Sequence, residues 1–90
     1  MWRIIHKRQF YRELARLPKK VRQRIEEIAF GDNIKHDPFL DGRVQKLKGY
    51  REYYKIRIGN YRVGLKLDKE KRTIEFCRVL HRRDIYRKFP

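Results

Sequence analysis

The side chains best suited to chemistry are concentrated in YYKIRIGNYRVGLKL, residues 53–67. Tyr53, Lys55 and Arg57 alternate there with Tyr54, Ile56 and Ile58, the pattern of a half-buried strand. After Gly59-Asn60, a pair that suits a two-residue hairpin turn, Arg62, Gly64 and Lys66 alternate with Tyr61, Val63, Leu65 and Leu67. Such a turn fixes the register. Ile58 then faces Tyr61, Ile56 faces Val63 and Tyr54 faces Leu65, which makes one apolar face. On the other face Arg57 lies across from Arg62, Lys55 from Gly64, and Tyr53 from Lys66. Like charges directly opposed in a sheet cost a few tenths to about 1 kcal/mol, so this face suits an RNA backbone better than it suits folding alone. Glycine inside a strand marks either a close approach or a weak point. Gly64 is therefore read as room for a phosphate or ribose beside Lys55, or as a bulge in an ordinary basic surface.

The elements that position this hairpin follow from the flanking patterns. Trp2–His6 is apolar enough for a short strand, and from about Arg8 the spacing of Phe10, Leu14 and Leu17 is helical. Pro18 breaks that helix and starts a second, which carries Val21, Ile25 and Ile28 inward and ends near Gly31. Arg12, Arg16, Lys19, Lys20, Arg22 and Arg24 form the solvated outer face of this helical hairpin. Residues 32–42, DNIKHDPFLDG, read as a loop. His36 and Asp37 within it lack a third ligand, so no metal site is expected. A further strand is expected over Thr73–Leu80, with Ile74 and Phe76 on one side and Cys77 and Val79 on the other. Arg78 shares parity with Ile74 and Phe76 and requires a bulge or a strand end. The chain then runs into a basic tail, HRRDIYRKF, in which Tyr86 is either a packing anchor or a ring for a nucleotide.

Composition limits what this assembly does. The 90 residues carry 26 Lys and Arg against 11 Asp and Glu, a formal net charge of +15. One small α+β domain is expected over residues 1–90, too small for an interdomain cleft. Its charge is uneven: residues 1–42 hold 10 basic and 6 acidic side chains, residues 43–90 hold 16 and 5. A strongly basic domain favours a polyanion, with an acidic membrane surface or acidic protein as competitors. Cys77 is alone, which excludes an intramolecular disulfide and any Cys-based zinc site, and no stretch is apolar enough for a signal peptide or a membrane helix. A cytoplasmic location and no membrane contact are expected.

Taken together, KLKGYREYYKIRIGNYRVGLKLD, residues 46–68, and VLHRRDIY, residues 79–86, resemble the RelE branch of the RelE/ParE toxin superfamily. The order of strand, helical hairpin, sheet and basic tail extends that resemblance over nearly the whole chain. It implies an α+β fold with a mainly antiparallel four-stranded sheet packed on an N-terminal helical hairpin, in the order β-α-α-β-β-β. It also implies a type II toxin that cleaves messenger RNA in the ribosomal A site and is silenced by a RelB-like antitoxin. Operator DNA would be reached only through the antitoxin complex. Lys55, Arg57, Arg62, Arg82 and Tyr86 match the superfamily's catalytic set, although Arg57 stands where some members have a second lysine. Lys46, Lys48, Tyr53, Lys66, His81 and Arg83 are read as surrounding RNA contacts.

The implied reaction, attack of a ribose 2′-OH on the adjacent phosphate, needs no metal or cofactor. Repulsion among cations would make a neutral Lys55 more accessible as general base. Arg57 and Arg62 would stabilise charge developing on the phosphate. Arg82 would protonate the leaving oxygen or stabilise the transition state while water supplies the proton, and Tyr86 would orient the nucleotide. A ParE-like inhibitor of gyrase without nuclease activity, or a non-enzymatic RNA- or ribosome-binding module, are the competing readings.

Overall fold

The hairpin adopts the expected register in the computed structural model, which describes residues 1–90. Strand β3 (Tyr53–Ile58) pairs with β4 (Tyr61–Asp68), placing Ile58 against Tyr61, Ile56 against Val63 and Tyr54 against Leu65. The remaining elements are β1 (Arg3–His6), α1 (Arg8–Ala15), α2 (Lys19–Ala29), α3 (Asn33–His36), β2 (Val44–Lys46), β5 (Thr73–His81) and α4 (Ile85–Lys88). They form a five-stranded sheet in the order β1-β5-β4-β3-β2, antiparallel except where β1 runs parallel to β5 at one edge. The α+β class stands, with one strand more than expected. β2 is only three residues long, too short to show an alternation. The segment read as a loop also contains α3, a single turn that buries Ile34.

The helices cover one face of the sheet. Phe10 and Leu14 of α1 and Ile25 and Ala29 of α2 are buried against Ile56, Ile58, Val63, Leu65, Leu67, Ile74, Phe76 and Val79. Each Val, Leu, Ile or Phe among them contributes about 1.5–3 kcal/mol when fully withdrawn from water. Pro18 precedes the first residue of α2 rather than occupying it. The Nε2–H of His6 donates to the Ala29 carbonyl at 2.6 Å, tying β1 to the end of α2.

Of the two ways to accommodate Arg78, a bulge or a strand end, the structure has the bulge. Gly64 pairs with Arg78 but Leu65 pairs with Phe76, so Cys77 has no partner on β4. The extra residue exchanges the faces beyond it. Val79 joins Ile74 and Phe76 in the main core instead of accompanying Cys77, and Leu80 takes the place beside Cys77. β1 pairs with β5 only as far as Phe76. Beyond that point Glu13 of α1 closes the strand edge. Its carboxylate accepts from the Arg78 side chain at 2.7–3.1 Å and from the Val79 N–H at 2.9 Å. Charge-assisted bonds of this kind contribute roughly 1.5–3 kcal/mol each, and here they hold the half of β5 that leads into the basic tail.

The opposite face is covered in part by the end of the chain. Leu47, Cys77, Leu80, Ile85 and Phe89 form a second small core, with Tyr53 packed against it. This changes the reading of Gly64. A Cβ on Gly64 would lie 2.8–2.9 Å from three carbons of the Phe89 ring, so the space left by the glycine is filled by Phe89 and not by a ligand.

Burial, reinforced by the Glu75 carboxylate, pushes the Cys77 thiol up to about 12. The folded chain therefore keeps this thiol protonated where the unfolded chain would ionise it. The associated stability is fully present below the ordinary thiol range and is lost as pH rises from that range towards about 12. Iodoacetamide at pH 8 is expected to leave native Cys77 unmodified and to alkylate it once denaturant is added. Alkylation of the native protein at the rate of a free thiol would contradict this placement.

Candidate functional site

On the face not covered by helices, a groove of about 440 Å³ is lined by Gln45, Lys55, Arg57, Arg62, Arg82, Arg83 and Tyr86. The hairpin supplies its floor, because Arg57 and Arg62 are cross-strand partners and Lys55 is the next position on the same face of β3. The tail supplies its wall. The Arg82 N–H donates to the Asn60 carbonyl at 2.8 Å, which fastens the tail to the hairpin turn. His81 packs its ring edge-on to Tyr61, with centroids 5.5 Å apart, and its Nδ1 accepts from the Arg83 N–H at 3.2 Å. It therefore shapes the turn that presents Arg82 and Arg83.

Within the groove, Arg62 uses Nη1 to donate to the Gly59 and Tyr61 carbonyls, each at 2.9 Å. Partial burial, then the positive charge of Arg57 and, less strongly, that of Arg82, lower its pKa from the usual guanidinium range, while Tyr86 opposes the shift. A guanidinium does not lose its proton in proteins, so Arg62 stays charged. An anion entering the groove relieves the repulsion. Lys55 donates to the Tyr86 hydroxyl. Its ammonium lies 4.7 Å from the ring centre and meets the oxygen end of the ring rather than its π-face. No acidic side chain lines the groove. Asp84, the acid nearest in sequence, is engaged by Arg87 at 2.5 Å, and that bond holds its carboxyl below the usual range.

The five residues expected to be catalytic thus converge, and Arg83 joins them. The other expected contacts do not enter the groove. Lys46 pairs with Tyr54 and so shares the parity of the core-facing side of the sheet, and Lys48 is exposed in the turn after β2. The Lys66 ammonium lies 3.8 Å from Glu52 and 5.9 Å from the centre of the Tyr53 ring. Tyr53 itself meets Phe89 edge-on, with centroids 5.5 Å apart. Phe89 therefore divides the cationic row, with Lys55 and the arginines on one side and Tyr53 and Lys66 on the other. Gln45, overlooked in the sequence, enters the groove because it is the cross-strand partner of Lys55. Only recognition of β2 as a strand could have revealed it.

A larger hollow of about 550 Å³ lies between β1 and the end of α2, but Met1, Trp2, Ile4, Ala29 and Phe30 make it mostly apolar. Its one imidazole, His6, is bonded to Ala29. No three His, Cys, Asp or Glu side chains come together as a metal-holding group, and no helix is long and apolar enough to cross a membrane.

Fold and groove together define a class: a small α+β domain that gathers guanidinium and ammonium groups in one groove. Relatives narrow it. The profile of the family described as ParE toxin of type II toxin-antitoxin system, parDE, matches residues 4–86. Toxin RelE3 of Methanocaldococcus jannaschii is 40% identical over 91 aligned positions, which cover 98% of this chain and 99% of that protein. Toxin RelG of Mycobacterium tuberculosis is 35% identical over 79 positions, 86% of each chain. Among solved structures, the RelB-RelE antitoxin-toxin complex from Methanococcus jannaschii contains a chain that matches with a TM-score of 0.75 at 36% identity, covering 96% of this chain and 99% of that one. The chain belongs to the RelE/ParE family of type II toxins.

Proposed function

We propose that this toxin is a ribosome-dependent endoribonuclease that cuts messenger RNA in the ribosomal A site and thereby stops translation. The observation that carries the reading is the convergence of Lys55, Arg57, Arg62, Arg82 and Tyr86 on one groove that contains no acid. In this reading, the Lys55 amine leaves the Tyr86 hydroxyl and takes the proton of a ribose 2′-OH. The 2′-oxygen forms a bond to the adjacent phosphorus, the bond from phosphorus to the 5′-oxygen breaks, and the products are a 2′,3′-cyclic phosphate and a 5′-hydroxyl end. Arg57 and Arg62 fork onto the non-bridging oxygens, where charge grows in the transition state. Arg82 stabilises the leaving oxygen, which takes its proton from Arg82 or from water. Tyr86 orients the nucleotide.

None of these groups is a strong acid or base at neutral pH, so alignment of the RNA must supply much of the rate. A ribosome that holds the message in the groove supplies that alignment. A RelB-like antitoxin is the proposed silencing partner, since the similar structure from Methanococcus jannaschii is an antitoxin-toxin complex. Operator DNA would be reached only through that partner, and the place of action would be the cytoplasm.

The matching family profile is described for ParE toxins, which makes gyrase inhibition the second reading. Mapping RNA 5′ ends after induction of the toxin separates the two. Cleavage within codons of ribosome-bound messages is expected, whereas intact messages with induction of the DNA-damage response would overturn the nuclease reading in favour of gyrase.

A further inference from the structure

We propose that Phe89, seated in the notch left by Gly64, is a positioning residue that holds Tyr86 against Lys55. Tyr86 sits on α4, a helix of four residues, Ile85–Lys88. One turn of helix has no stability of its own in water, so its place is set by what anchors it. Ile85 at its start is fully buried, and Phe89 just past its end is 6% exposed. Both belong to the second core with Leu47, Cys77 and Leu80. Between these anchors Tyr86 is 67% exposed, with its hydroxyl accepting from Lys55.

The notch lies beside the groove because of strand register. Gly64 is the cross-strand partner of Lys55, so the ring that fills the space over Gly64 is next to the lysine that Tyr86 must reach. The depth at which Phe89 sits therefore sets the distance between the tail and Lys55. Arg78 adds a second tether by donating to the Lys88 carbonyl at 3.3 Å, and Tyr53 packs edge-on to the ring. Any Cβ at position 64 would force the ring outward, since 2.8 Å is far inside contact distance, and would lift Tyr86 away from Lys55.

The cleavage part of this inference rests on the nuclease reading, but the geometry does not, and the test separates them. In full-length Gly64→Ala, the nuclear Overhauser effect between the Tyr86 ring and the Lys55 side chain is expected to disappear. Adding Phe89→Leu, which replaces the ring by a smaller apolar side chain, is expected to restore it. Cleavage of ribosome-bound message is expected to fall roughly 10- to 100-fold in Gly64→Ala, the scale of a misplacement of about 1 Å, and to recover in the double variant. In a Tyr86→Ala background the same Gly64→Ala change is expected to have no further effect on cleavage, whereas general loss of stability would add to it. An unchanged Overhauser effect in Gly64→Ala, or a loss that Phe89→Leu does not restore, overturns the proposal. If Gly64→Ala does not fold, Phe89→Ala, which removes the wedge without adding a clash, must lose the same effect or the proposal fails. A wild-type protein that shows the Overhauser effect but cuts no message overturns the nuclease reading and leaves the positioning role standing.

Discussion

Arg62→Ala is expected to reduce cleavage of ribosome-bound message roughly 10²- to 10³-fold, the loss that follows removal of one preorganised donor aimed at developing negative charge. Arg62 is the strongest candidate in the groove for such an effect. Its Nη1 is already committed to two carbonyls of the hairpin turn, so the guanidinium is held in place before any RNA arrives. Preorganisation of this kind costs nothing at the moment of reaction. Arg82→Ala is expected to act in the same direction because its backbone is tied to Asn60, although its exposed side chain is less constrained. Both variants should relieve growth inhibition on expression while still binding the cognate antitoxin. A double variant that inhibits growth as strongly as the parent would remove this groove from consideration as the active site.

Lys55 is expected to give the second large effect and to reveal its role through the replacement that fails to rescue. Loss of a general base typically costs 10²- to 10⁴-fold, so Lys55→Ala should fall in that range. Lys55→Arg is the informative variant. It keeps the positive charge and the capacity to donate to Tyr86, but a guanidinium does not deprotonate near neutrality and cannot accept the 2′-OH proton. Binding of RNA is expected to survive in Lys55→Arg while single-turnover cleavage remains as low as in Lys55→Ala. Recovery of cleavage by arginine would instead make Lys55 an electrostatic contact and transfer the search for a base elsewhere in the groove.

What could be read from the chain before its fold was local. Alternation over residues 53–67 together with Gly59-Asn60 determines the hairpin register, and that register places Arg57 beside Arg62 without any knowledge of the rest. The parity conflict at Arg78 likewise called for a bulge or a strand end, and the fold uses the bulge. The conflict did not say which side of Arg78 carried the extra residue, and the faces of Val79 and Leu80 depend on that. The details that escaped are set by contacts between distant parts of the chain. Phe89 fills the space over Gly64, twenty-five positions earlier in the chain, and nothing in the strand signals that a ring will arrive there. Val44–Lys46 is too short for periodicity, so neither the face of Lys46 nor the entry of Gln45 into the groove could be assigned. Lys66 sits on the correct face by parity, yet a neighbouring acid and the Phe89 ring separate it from the arginines.

The parallel pairing of β1 with β5 also has a consequence for how the protein comes into being. Arg3 finds its strand partner in Thr73, so β1 has no ladder to join until β5 exists. Pairings of such long separation are the slow part of assembling a small domain. The groove is completed later still in the order of synthesis, because Arg82, Arg83 and Tyr86 lie beyond β5. A chain still being translated through residue 80 would carry the floor of the site without its wall. The cationic floor is thus made before the wall that completes the surface with which, in the proposed function, the toxin would halt translation.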